Sequence, residues 1–167
     1  VSEIVTELTK DDSFIMELSS FQLLGTEDFR PKISVITNLY TAHLDYHGSR
    51  EEYIKAKLRL LSNQTSSDFF VYNADSEELA ELAKLNPARA VPFSATQALD
   101  SGCYIKAGCL YYDQEKIMNI EDILMPGQHN LENICATVAI AKLLEVDDEP
   151  IVQTLTTFSG IKHRLQY

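Results

Sequence analysis

Short apolar runs rich in β-branched and aromatic residues alternate with stretches of helical spacing, and this alternation constrains the fold more than any other feature of the chain. Phe14-Ile-Met-Glu-Leu18, Ile33-Ser-Val-Ile-Thr-Asn38, Phe69-Phe-Val-Tyr72 and Ala90-Val-Pro-Phe93 read as four strands. None alternates strictly between apolar and polar, which is the pattern of strands buried on both faces of a sheet. Pro92 points the fourth strand toward a sheet edge, because proline cannot donate to a ladder. Between the second and third runs, Arg50 to Asn63 has helical spacing, and so does Ser76 to Leu85 between the third and fourth. Strand and helix in alternation predict an α/β fold, a mostly parallel sheet flanked by helices.

The pattern changes after Ser94. Gly102-Cys-Tyr-Ile-Lys-Ala-Gly108 and Cys109-Leu-Tyr-Tyr112 read as two short strands joined at a glycine turn, a small β-hairpin insert. From Asn130 to Val146 the positions Leu131, Ile134, Cys135, Val138, Ala139 and Leu143 mark a long helix introduced by Pro126-Gly127, and Asp147-Asp-Glu-Pro150 opens another that runs to about Phe158. The length of 167 residues suits one domain. The start at Val1 inside an amphipathic stretch, and the stop at Leu165-Gln-Tyr167 where a strand begins, give the expectation that both ends are cut and the sheet incomplete.

Composition narrows the functional classes. A net charge of -11, from 25 acidic against 14 basic residues, repels a phosphate polymer, so nucleic acid is not an expected partner, whereas a single nucleotide needs only a few local amides and a cation. No apolar run approaches the roughly 20 residues that cross a bilayer, and no membrane role is expected. Three cysteines (Cys103, Cys109, Cys135) form no CxxC pair and point to reduced thiols.

Several residues carry potential chemistry. Ser49 followed by Glu52 is a capping box, so a helix should begin at Arg50. The residues three and four positions from Lys57 are then Tyr53, Ile54, Leu60 and Leu61, all apolar, whereas Lys55 has Glu51, Glu52 and Arg59 around it. A lysine on a buried stripe loses hydration and favours the neutral amine, a potential base, nucleophile or site for carbon dioxide addition. The plain alternative is a stem laid on the core with its head in water. Upstream, Thr41-Ala-His43-Leu-Asp45-Tyr-His47-Gly48 follows the second strand, in the loop where parallel sheets place their sites. His43, Asp45 and His47 can bind a metal or be ordinary surface residues. Glu17, at the end of the first expected strand, would lie at the same sheet edge, followed by Ser19, Ser20 and Gln22; a carboxylate, an imidazole and a modified lysine together suit magnesium or manganese better than zinc. Asn130 and Asn133, one helical turn apart, can read an adenine edge or bridge phosphate oxygens, or Asn130 can simply cap its helix. Arg164 is a candidate phosphate clamp. The six glycines form neither a GxxxxGK[ST] loop nor a GxGxxG fingerprint, so the chain carries no cradle of its own for ATP phosphates.

In order, Glu17-Leu-Ser-Ser-Phe-Gln-Leu23, Thr37-Asn38 leading to His43-Leu-Asp45-Tyr-His47, Tyr53-Ile-Lys-Ala-Lys57, Gly127-Gln-His-Asn-Leu-Glu-Asn133 and His163-Arg164 resemble the Mur ligase family over essentially the whole chain. The resemblance implies an incomplete central ATP-binding domain over residues 1–160 and the start of a junction to a C-terminal domain over 161–167. It implies metal-binding roles for Glu17, His43 and a carbamylated Lys57, with His43 and Lys57 at the catalytic centre and two magnesium ions. Asn130, Asn133 and Arg164 would hold ATP, and Ser19 and Gln22 would touch the muramoyl substrate. The first motif points to the family members that join D-glutamate to UDP-N-acetylmuramoyl-L-alanine through an acyl phosphate, in the cytoplasm, as monomers when complete. Ala42 stands where many relatives have an acidic residue, so no ligand is assigned there. The segment alone is expected to be inactive. The alternatives are a folylpolyglutamate synthase-like ligase, against which the Ser-Ser-Phe-Gln run argues, a metallohydrolase using His43, Asp45 and His47, and a non-catalytic domain kept for protein contacts.

Overall fold

A computed structural model of the chain describes residues 7–9, 11–40, 44–125 and 127–160, with the side chains of Leu44 and Asp45 outside the description. His43, Pro126 and Arg164 therefore lie outside the described residues, as does the expected junction over 161–167.

A six-stranded sheet runs in the order β1 (Ile33–Ile36), β2 (Phe69–Asn73), β3 (Arg89–Ser94), β4 (Cys103–Lys106), β5 (Cys109–Tyr112) and β6 (Glu115–Asn119). β1 through β4 are parallel, and β4, β5 and β6 form an antiparallel meander. The helices are α1 (Ser20–Leu24), α2 (Leu44–His47), α3 (Arg50–Leu58), α4 (Glu77–Leu85), α5 (Gln128–Leu143) and α6 (Asp148–Thr157), with 3-10 turns at Arg59–Leu61 and Ile120–Asp122.

The sheet is covered on both faces. Phe70, Ile36, Leu61, Leu79 and Ala83 pack together in one core, whereas Val71, Phe93, Leu110, Ile134, Val138, Ile151 and Leu155 pack in another. Adjacent β2 residues, Phe70 and Val71, thus enter opposite cores, as the period of two along a strand requires, and this explains the unbroken apolar run at Phe69–Asn73. α3 begins where Ser49 caps it, its hydroxyl accepting from the Glu52 amide at 3.2 Å.

Three expectations differ from the structure. Phe14 to Leu18 forms no strand: the segment is irregular, with Ile15 82% exposed. Apolar composition makes a strand only where a neighbour completes its backbone hydrogen bonds, and among the described residues β1 pairs with β2 alone. β3 is not an edge strand, since it lies between β2 and β4. Pro92 is tolerated because its register pair is Tyr72 of β2, while pairing with β4 begins one residue later at Phe93 and Cys103; the Pro92 ring and carbonyl instead abut Gly102. The hairpin insert gains a third strand, β6, after a turn in which Asp113 and Gln114 both take positive φ (46° and 73°). Among the described residues, no helix is long and apolar enough to cross a membrane.

Candidate functional site

Because β1, β2 and β3 are parallel, their C-terminal ends share one sheet edge, where such folds gather ligand-binding loops. Two groups of residues from the recurring motifs meet this edge.

The first group lies beyond β1. α1 is fixed by a complete capping box: Ser19 Oγ accepts from the Gln22 amide at 3.3 Å, and Gln22 Oε1 accepts from the Ser19 amide at 2.9 Å. Ser19 and Gln22 are therefore tied to one another. Their neighbour Ser20 is buried, and its hydroxyl lies 2.9 Å from His47 Nε2. Phe21 stacks on the His47 ring (centroids 5.2 Å apart, planes 17°), Tyr46 meets Phe21 edge-on at 4.5 Å, and Tyr53 of α3 meets His47 edge-on at 5.5 Å. Such aromatic pairs each add about 1 kcal/mol beyond the area they bury.

Tyr53 leads on to Lys57. The lysine is half-buried on the inner side of α3, with Nζ 5.1 Å from the Tyr53 ring centroid and donating to the Asn38 carbonyl at 3.2 Å. Lys55, two positions earlier, is exposed beside Glu52 at 3.8 Å. The structure thus joins Ser20, His47, Tyr53, Lys57 and Asn38 in one chain of contacts, drawn from three of the sequence motifs. Sequence reasoning missed the Ser20 to His47 bond, because 27 residues separate the partners and no local spacing signals such a pair.

The second group lies beyond β3. Helix α5 starts at Gln128, with Gly127 as its N-cap at φ 103°, so Asn130 sits inside the first turn and is not the capping residue. Gln128 Nε2 donates to the Ala95 carbonyl at 3.5 Å, which holds this helix start against the loop after β3. That loop is set by Asp75, whose carboxylate accepts from Ser94, Thr96 and Gln97 side chains at 2.7, 2.6 and 2.9 Å. Burial opposes ionisation of Asp75, but these hydrogen bonds outweigh it and hold the group below its ordinary pKa. Asn133, one turn beyond Asn130, is exposed. Two strand spacings of about 4.8 Å, roughly 10 Å in all, separate β1 from β3.

Glu17 is exposed in the irregular segment two residues before the Ser19 cap. Among the described residues, no group of three or more His, Cys, Asp or Glu side chains comes together in a way that would hold a metal ion. The Lys57 amine, engaged as a donor to Asn38, fits a metal site only after carbon dioxide adds to it and supplies carbamate oxygens.

The Mur ligase middle domain matches residues 2–141 of the chain. A UDP-N-acetylmuramoylalanine--D-glutamate ligase of Listeria innocua is 51% identical over 166 residues, and one of Ligilactobacillus salivarius is 48% identical over 166; each alignment takes in 99% of this chain and 36% of the relative. The chain therefore spans about a third of the length of these curated relatives. Among solved structures, MurF of Acinetobacter baumannii superposes with a TM-score of 0.64 at 23% identity, covering 82% of this chain and 31% of that one. A murein peptide ligase of Neisseria meningitides, a UDP-N-acetylmuramate:L-alanyl-gamma-D-glutamyl-meso-diaminopimelate ligase, gives 0.60 at 19% identity, over 80% and 42% of the two chains. Both carry the same mostly parallel sheet with flanking helices. With the family's middle domain matched from residue 2 to residue 141, the chain belongs to the Mur ligase family.

Proposed function

We propose that the full-length protein is an ADP-forming ligase that joins D-glutamate to UDP-N-acetylmuramoyl-L-alanine in peptidoglycan synthesis. The observation that carries this reading is identity near 50%, along the whole chain, to relatives named for that reaction. The contacts that link Ser20, His47, Tyr53, Lys57 and Asn38 beyond β1 are consistent with it.

In this reading ATP phosphorylates the terminal carboxylate of the muramoyl substrate. The D-glutamate amine attacks the acyl phosphate, and phosphate leaves as the amide forms. Asn130 and Asn133 hold the nucleotide from the start of α5, and Arg164 approaches its phosphates. Ser19 and Gln22, locked to each other at the start of α1, face the muramoyl substrate. Glu17, His43 and carbamylated Lys57 are the ligands for two magnesium ions, which when bound offset the charge gathered on the transferring phosphoryl group. His43 and Lys57 lie nearest the chemistry. Alignment of three reactants supplies much of the rate. Residues 1–160 form part of the central ATP-binding domain and 161–167 begin the junction to the next. ATP and a nucleotide sugar put the reaction in the cytoplasm, in a protein that is monomeric when complete.

His47 bears on the metallohydrolase alternative. Its Nε2 is engaged by Ser20 and its ring is held between Phe21 and Tyr53, which suits a packing role better than metal ligation. The test is phosphate release by the full-length protein with ATP. Release requiring both UDP-N-acetylmuramoyl-L-alanine and D-glutamate is expected. Release with a folate and L-glutamate instead, or zinc-dependent hydrolysis without ATP, would overturn the reading.

A further inference from the structure

We infer that His47 is a positioning residue that sets the orientation of α1 against α3, and through α1 the pose of Ser19 and Gln22 toward the nucleotide-sugar substrate. The inference rests on the ligase reading above. α1 is five residues long, under two turns, too short to hold a direction by its own hydrogen bonding. Leu23, 3% exposed, anchors the helix by burial, but burial of an apolar side chain is non-directional and does not by itself fix rotation about the anchor.

Direction comes from the imidazole. Ser20 and Phe21, consecutive on α1, engage it in two different ways: the hydroxyl at 2.9 Å from Nε2, and the phenyl ring stacked nearly parallel at 5.2 Å. A hydrogen bond and a stack from adjacent residues fix both tilt and rotation, because each constrains a different axis. The imidazole is itself fixed. Gly48 follows at φ 75°, turning the chain directly into the Ser49 cap of α3, and Tyr53, 5% exposed, meets the ring from α3. Since the capping box ties Ser19 to Gln22, a rotation of α1 carries both side chains together. His47 acts on the substrate only through them.

The test uses the full-length ligase. His47→Phe keeps a ring for Phe21 and Tyr53 and removes the nitrogen that engages Ser20; Ser20→Ala removes the other half of that bond. Each is expected to raise the KM for UDP-N-acetylmuramoyl-L-alanine about tenfold while kcat and the KM for ATP stay within about twofold, and the double variant is expected to match the worse single one. His47→Gln, whose amide can still reach Ser20, should recover part of the loss and guards against poor folding of the phenylalanine variant. An unchanged KM for the nucleotide sugar in all three, with or without a lower melting temperature, would overturn the inference and leave the ligase reading intact. Absence of D-glutamate ligation by the wild-type protein would overturn both.

Discussion

Gly102 sits at φ 77°, and a Cβ built there would lie 2.0 Å from the Pro92 carbonyl oxygen. Backbone cannot yield as a flexible side chain can, so Gly102→Ala combines a left-handed conformation with a clash. It is expected to destabilise the chain by about 2 kcal/mol or more, read as a lower urea midpoint. Asp68 is decided by charge instead. Its carboxylate, buried at the amino end of β2, accepts from Arg30 Nε at 2.7 Å and from the Thr65 amide at 2.8 Å, and these hold it well below the usual carboxylate range. A group depressed in the folded state contributes its stability above the unfolded pKa, near 4, and loses it as pH falls through the folded value. Asp68→Asn should therefore lower the urea midpoint at pH 7, and the gap to wild type should narrow steadily below about pH 4. A gap independent of pH would show that shape, and not charge, is what Asp68 provides.

At the level of elements, the ligase reading proposed above makes α5 a helix whose buried side serves stability and whose exposed start serves the nucleotide. Ile134 is 2% exposed in the core beneath β3 and β4, and Ile134→Ala should cost about 3 kcal/mol through lost burial and a residual cavity. Exposed Asn133 precedes it, and Asn133→Ala should change stability by no more than about 0.5 kcal/mol while raising the KM for ATP in the full-length protein. Thermal melts and steady-state kinetics on the two variants check both. Such helices were legible in the sequence because their signals are local: Ser49 and Ser76 both cap the helices that follow them. β1, β2 and β3 were legible because burial on both faces leaves an unbroken apolar run. What escaped depended on neighbours. Phe14 to Leu18 has the composition of a strand without a partner among the described residues, and Pro92 has the composition of an edge but a place in the interior. β6 was hidden because its turn uses Asp113 and Gln114 where glycine or asparagine usually advertises positive φ. At the site, the inward face of Lys57 could be read from helical spacing. The Ser20 to His47 bond could not, because it exists only once α1 has folded back beside α3.

For the whole molecule, the sheet has two unlike sides. From β2 through β5 every strand is flanked, whereas β1 has β2 alone among the described residues, and Phe14, Ile15 and Met16 are exposed. Unpaired backbone and exposed apolar side chains favour pairing with another chain. The 167-residue segment is expected to self-associate in sedimentation velocity, with Ile15→Lys shifting it toward monomer, and to show no ATP-dependent ligation by itself. A monodisperse, monomeric wild-type segment would contradict the first expectation, and phosphate release dependent on both substrates the second.

The far side of the sheet is built on another principle. The meander β4 to β6 joins the parallel strands through only two register pairs, Phe93 with Cys103 and Ser94 with Tyr104, beside the point where Gly102 meets Pro92. The ladder there is narrow, but the inner face of the meander belongs to the common core, where Cys103, Leu110 and Met118 pack with Phe93 and Ile134. Substitutions confined to its exposed positions are therefore expected to leave the loops beyond β1 and β3 in place, provided the seam keeps a residue with no side chain.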